Sequence, residues 1–181
     1  MKRLLLLAAL LIPNEAQADP QTCMAEAMYF EARGEGWRGM LAVGVVIRNR
    51  VDHPGYPPTV CGVVRQGRLS DGLLRKWQCQ FTFYCDGKPE DPEDRAAWSM
   101  AQSLSTIVIE GQVMLTGMEG VTHYHTTSVQ PPWAKQFAAR RRIGSHIFYG
   151  PKCGVQTLRR ARGFFVPDRE NEILLLFWMP D

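Results

Sequence analysis

Between Met40 and Ile47 the chain places six sizeable apolar side chains in eight residues: Met40, Leu41, Val43, Val45, Val46 and Ile47. Read as a helix from about Gly39 to Val51, this segment is apolar around most of its girth. Such a helix has to be enclosed by other elements rather than laid on a surface. Arg48 and Arg50 near its end suit the negative pole of the helix dipole. The segment therefore predicts a domain built around one central helix.

A first helix is read just before it, from Thr22 to Arg33, with Thr22 as its N-cap. Met24, Ala27 and Met28 follow helical spacing. The next position on that stripe is Glu31, where an amphipathic helix ordinarily buries Leu or Met. Gly34 and Gly36 come at once and end the helix near Arg33 or Glu35. Glu31 should then be half-buried beside a helix C-terminus. Both circumstances disfavour a carboxylate and raise its pKa, which is what a general acid needs. The plainer alternative is a solvated surface charge.

Further along, Asp52 to Pro58 is a turn and loop, and Thr59 caps a short helix from Val60 to Gln66. Gly67 to Gln80 reads as a loop. Asp91 as N-cap and Pro92 at the first position open a helix that runs to about Glu110. Its inner face carries Trp98, Ala101, Leu104, Ser105 and Val108, and Gly111 ends it. Val121 to Thr127 alternates as a short strand. Pro132 to Ala139 reads as a short helix, and Ile147-Phe148-Tyr149 as a second strand pairing with the first. The fold class is α+β and mostly helical, with a short β-hairpin.

The first 18 residues stand apart from this domain. Lys2 and Arg3 precede the apolar run Leu4 to Ile12, too short to span a bilayer, and Ala16-Gln17-Ala18 is a cleavage signature. Residues 1–18 are read as a signal peptide, which places the protein in the periplasm or outside the cell. About 160 residues remain, enough for one domain with its own core. The formal net charge is +3 and two of the positive charges, Lys2 and Arg3, lie in the first 18 residues, so nucleic acid is not indicated as a partner. Arg140-Arg141-Arg142 and the arginines at 159, 160 and 162 read as solvated helix faces.

Export also makes disulfides sensible for the five cysteines, of which Cys79 and Cys85 could staple a short loop, with Cys61 the next participant. Residues 151–181 form a tail, basic and then apolar from Ile173 to Trp178, again too short for a stable membrane span.

Six blocks stand in order. They are Ala27-Met28-Tyr29-Phe30-Glu31-Ala32-Arg33-Gly34-Glu35; Ala42-Val43-Gly44-Val45-Val46-Ile47-Arg48-Asn49-Arg50-Val51; Thr59-Val60-Cys61-Gly62-Val63-Val64; Gln80-Phe81-Thr82-Phe83 with Asp86-Gly87; Thr122-His123-Tyr124-His125; and Arg142-Ile143-Gly144-Ser145-His146-Ile147-Phe148-Tyr149. In these the chain resembles the cell-wall hydrolase family of the spore-cortex-lytic enzyme type, with its SleB-like catalytic domain. The resemblance covers residues 23–149 and makes 19–150 the catalytic domain. It implies a lysozyme-like, lytic-transglycosylase-like fold and a peptidoglycan glycosidase acting between N-acetylmuramic acid and N-acetylglucosamine. It implies glycan strands as partner; a monomer without a cofactor is the expectation. The catalytic acid of the family's motif falls on Glu31. Spore enzymes carry a separate wall-binding module that is not seen here, which points to general envelope remodelling.

One carboxylate suffices for a lytic transglycosylase, whereas a hydrolase needs a second. Glu35 is the near candidate, at i+4 from Glu31, but Gly34 spoils the continuous-helix geometry that would bring the two together. Glu35 is read as bonding a backbone group or Arg33, Glu26 as solvated. The expected substrate-binding set is Glu35, Gln80, Phe81, His123, Tyr124, His125 and Tyr149, with core packing as the alternative for Phe81, and for Tyr149 and Trp133. His123 and His125 should share one strand face. The competing readings are a metal-dependent amidase or peptidase built on those histidines, and a wall-binding module without catalysis. H-x-H alone is a weak zinc signal, so no metal is expected.

Overall fold

A computed structural model describes residues 19–152 and the backbone of 173–175. The proposed leader, Cys153 and nearly all of the tail lie outside the described residues.

Four helices make the core: α1 (Pro20–Ala32), α2 (Gly36–Val51), α3 (Val60–Val64) and α4 (Arg95–Ile109). α2 is the central one, and its residues Gly39 to Ile47 are buried without a break. It starts at Gly36, earlier than its apolar run, because only one 3-10 turn (Arg33–Glu35) separates it from α1. The N-cap of α1 is Asp19 rather than Thr22. The Asp19 carboxylate accepts from the backbone N–H groups of Gln21 and Thr22, and Pro20 takes the first helical position, which lacks an N–H to satisfy. Thr59 does cap α3, accepting from Gly62 N at 3.1 Å.

α4 is capped by Asp94, whose side chain accepts from Ala97 N, so Asp91 and Pro92 lie ahead of it. Asp94 N–H in turn donates to the Tyr29 hydroxyl at 2.9 Å and ties the start of α4 to α1. Ala101, Ser105 and Val108 form its buried face, and Trp98 and Leu104 pack at the margin of the core.

The segment 67–80 is a hairpin, not a loop. β1 (Gly67–Ser70) and β2 (Leu73–Cys79) pair antiparallel around Asp71 and Gly72. Both turn residues have positive φ, 53° and 80°, as a tight two-residue hairpin requires. The hairpin lies outside the core and exposes Leu69, Leu73 and Trp77, so burial left no alternation in its sequence.

The main sheet has the order β4-β6-β5, from β4 (His123–Thr126), β5 (Ala138–Ile143) and β6 (His146–Gly150). The expected pairing of β4 with β6 is present, His123 opposite Tyr149 and Tyr124 opposite Phe148. These two are not sequential, however. β5 intervenes and pairs with β6 through a tight turn at Gly144-Ser145. The expected helix over Pro132–Ala139 is only a 3-10 turn, Pro132–Gln136. Arg140, Arg141 and Arg142 therefore lie on an edge strand, where charge guards against further pairing, and not on a helix face. β3 (Val113–Leu115) pairs with β7 (Ile173–Leu175), which lies within the tail.

Two disulfides are formed. Cys79–Cys85 closes the base of the hairpin, as expected. Cys61 pairs with Cys23 instead, joining α3 to α1 across a Cα–Cα distance of 5.3 Å.

The consecutive residues Arg48, Asn49 and Arg50 fix the end of α2 to the end of α4 and to the segment between β3 and β4. Arg48 Nη1 donates to Ile109 O at 2.9 Å. Asn49 Nδ2 donates to Met118 O and Val121 O, each at 2.8 Å. Arg50 Nε donates to Thr122 O at 2.8 Å. These bonds set the entry of β4, and so place Tyr124 against α1.

Candidate active site

Glu31 lies in the last turn of α1 and is half-buried, on the stripe that begins with the fully buried Met24, Ala27 and Met28. Its Oε2 accepts from the Tyr124 hydroxyl at 3.1 Å. Burial raises the Glu31 pKa above the ordinary carboxylate range, and the Tyr124 hydrogen bond and the positive charge of Arg50 pull it part of the way back. Tyr124 is itself pushed well above its ordinary value, by burial first and then by the Glu31 charge. It therefore remains a hydroxyl donor at any physiological pH. A carboxyl that burial makes costlier to ionise, with a fixed neutral donor beside it, is an arrangement that can deliver a proton and then tolerate the carboxylate left behind.

Glu35 is placed differently. Its Oε2 accepts from Ser145 N at 2.9 Å and its Oε1 from the Ser145 hydroxyl. These bonds hold its pKa below the ordinary range, against a smaller opposing effect of burial. Gly144, at φ 55°, lies so close that a β-carbon there would overlap the Glu35 carboxylate. Glu35 thus clasps the β5–β6 turn, and both its oxygens are taken. Arg33 does not pair with it and lies over the Tyr29 ring, 5.0 Å from the centroid. Glu26 is half-buried rather than solvated.

Strand alternation puts Tyr124 on one face of the sheet and both histidines on the other. The Tyr124 face carries Phe148 and His146, at ring separations of 5.5 and 5.3 Å. His123 and His125 share the opposite face, beneath Trp133 at 5.2 and 5.6 Å. His125 is buried and spent. Its Nδ1–H donates to Thr126 O, and in the neutral ring Nε2 accepts from the Tyr149 hydroxyl, each at 2.8 Å. Tyr149 is buried in the same stack. His123 Nδ1 meets the Thr122 hydroxyl at 2.9 Å.

Phe81 is fully buried, with the Arg50 guanidinium 5.4 Å from its centroid. A ring with no exposed surface offers none to a sugar, so Phe81 is a core residue. The expected groove therefore separates into parts. Glu31 and Tyr124 meet, Gln80 is exposed at the foot of the hairpin, and Phe81, His125 and Tyr149 pack inside. Phe83 stacks on Phe30 at 4.9 Å and joins this hairpin region to α1 next to Glu31.

Two participants escaped the sequence reading. Ser145 carried no signal, since its partner is 110 residues away. Arg50 did carry one: it comes after Val43 and Val46 on the buried stripe of α2, the same anomaly that marks Glu31 on α1.

Residues 34–149 match the model of the family described as Cell Wall Hydrolase. The chain belongs to the cell wall hydrolase family. Among its relatives are spore cortex-lytic enzymes from Oceanobacillus iheyensis, 29% identical over 76% of this chain and 44% of that protein, and Halalkalibacterium halodurans, 31% identical over 69% and 33%. The chain thus spans less than half the length of these curated relatives. Its fold is similar to the catalytic domain of the germination-specific lytic transglycosylase SleB from Bacillus anthracis. There the TM-score is 0.56 at 29% identity, covering 76% of this chain and 99% of that one. The SleB catalytic domain of Bacillus cereus gives a TM-score of 0.55 at 28% identity, covering 76% and 94%. In this cell wall hydrolase the expected α+β, lysozyme-like class agrees with those neighbours.

Among the described residues no three His, Cys, Asp or Glu side chains converge on a point that could hold a metal ion, and no helix is long and apolar enough to cross a membrane.

Proposed function

We propose that this protein is a peptidoglycan lytic transglycosylase, exported through its leader and acting in the periplasm or outside the cell. Glu31 is its proton donor and acceptor. The observation that carries the reading is the Glu31 carboxyl, half-buried at the end of α1, raised in pKa by that burial and held by the Tyr124 hydroxyl. Family membership and the likeness to lytic transglycosylase catalytic domains support the same chemistry.

In the reaction the bond from C1 of N-acetylmuramic acid to O4 of N-acetylglucosamine breaks, and its electron pair stays on O4. Glu31 gives O4 a proton. The carboxylate then takes the proton of the muramic acid 6-hydroxyl as that oxygen bonds C1 and closes a 1,6-anhydro ring. No water is consumed and one carboxylate serves both steps. Glu35, with both oxygens on Ser145, does not act as a second acid; it positions the β5–β6 turn. Tyr124 holds the donor, and Gln80 is offered to the glycan from the hairpin side.

The amidase reading gains nothing from the geometry. Ligation through His125 Nε2 would have to displace the Tyr149 hydroxyl, and ligation through Nδ1 the Thr126 carbonyl. Incubation of purified sacculi with wild type and Glu31→Gln tests the assignment. The wild type should release muropeptides and the variant almost none, and release by a folded Glu31→Gln protein would refute it.

A further inference from the structure

Arg50 is a cation in a place that ordinarily excludes one. It is 5% exposed, in the last turn of the core helix α2. Its Nε donates to Thr122 O, its guanidinium carbon lies 5.3 and 5.4 Å from the Tyr56 and Phe81 centroids, and its Nη1 is buried without a hydrogen-bond partner. No carboxylate lies within ion-pair distance of it among the described residues; its neighbour Arg48, by contrast, pairs with Asp52 on the surface. Arginine in such surroundings is costly unless some anion compensates it.

The charged and titratable groups around it are few. Glu31 comes from α1, Tyr56 from the loop after α2, and His123 and Tyr124 from β4, with His53 acting on His123. Of these, only Glu31 becomes an anion in the range where the protein works. Arg50 and Glu31 attract each other, and Arg50 holds the carbonyl two residues before the tyrosine that bonds Glu31. Both residues thus act on Tyr124, Glu31 through its hydroxyl and Arg50 through the backbone that leads into its strand.

We propose that Arg50 is a buried counter-cation for Glu31, a positioning residue that stabilises the carboxylate formed once the proton has moved to the leaving oxygen. The proposal rests on Glu31 being the acid. It explains why Nη1 of a buried guanidinium has no hydrogen-bond partner: its anion forms only part-way through the turnover. Burial and the buried charge then act in opposite directions. Burial raises the cost of ionising Glu31, and Arg50 lowers it. An attraction that strengthens as charge develops accelerates the step, whereas one equal in both states would not.

The test tracks the two side chains by NMR in the intact protein. In wild type, the Arg50 Nε–H resonance should titrate together with the Glu31 carboxyl carbon, and in Glu31→Gln it should stay flat. Arg50→Met should move the Glu31 titration to higher pH and cut turnover of sacculi by roughly 10- to 100-fold, while Arg50→Lys retains most of the activity. An Arg50 resonance unmoved while Glu31 titrates in wild type would overturn the proposal without any variant having to fold. So would a folded Arg50→Met with the Glu31 titration unchanged. Failure of the Glu31 assignment itself reads differently, as activity retained by Glu31→Gln.

Discussion

Glu31 ionises at a cost that its neighbours only partly offset, and the sign of that imbalance has measurable consequences. Its folded pKa lies above the ordinary value, so the native state binds its proton more tightly than the unfolded chain. The stability this confers is present at low pH and is lost as pH rises through the folded value. At neutral pH Glu31→Gln should therefore melt no lower than wild type, and its glycan cleavage should fall by roughly 10²–10⁴-fold or more. Thermal melts beside a sacculus-digestion assay check both; a variant that melts much lower would mean that the carboxyl is structural. Wild-type activity should decline on the alkaline side as Glu31 loses its proton, and a profile flat through that range would contradict a general acid.

Glu35 has the opposite sign. Its bonds to Ser145 lower its pKa, so its contribution is present above the ordinary carboxylate range and fades as pH falls through the folded value. Glu35→Ala should cost about 1 kcal/mol at pH 7, and the difference from wild type should shrink in melts taken below about pH 4.

At the scale of elements, the end of α2 does more than close a helix. Asn49 spans two carbonyls of the segment leading into β4, and Arg50 holds a third. Asn49→Ala should destabilise by about 1–3 kcal/mol, because it leaves partly buried carbonyls unpaired. It should also slow catalysis by loosening Tyr124. Full activity with a normal melting temperature would show that β4 is positioned by its sheet alone. The Cys23–Cys61 bridge ties α3 to the helix that carries Glu31, closing 38 residues. In the chain-entropy model this is worth about 4 kcal/mol, so reduction should lower the melting temperature by several degrees. Five titratable thiols in protein isolated after export would contradict both bridges.

For the molecule as a whole, the legible part of the sequence was the pattern that burial imposes. The central helix and the Glu31 stripe are legible because a buried element must be apolar wherever it touches others. The Asp71-Gly72 hairpin was written in turn chemistry rather than in alternation, since exposed strands carry none. β5 was hidden by three arginines on an edge strand. The roles of Phe81, Tyr149 and His125 depend on which face of an element meets the core, and that is decided by partners far along the chain. The clasp of Glu35 on Ser145 and the bond of Tyr124 to Glu31 are long-range in the same sense.

The central claim is that one carboxylate does both proton transfers, with the 6-hydroxyl of the substrate in place of water. The most direct measurement is the mass of the muropeptides released from purified sacculi. Ends lighter than a hydrolysed end by one water, and inert to borohydride, are the predicted 1,6-anhydro products. Reducing ends that borohydride labels would show that water attacks, and would require a second carboxylate that the clasped Glu35 does not supply.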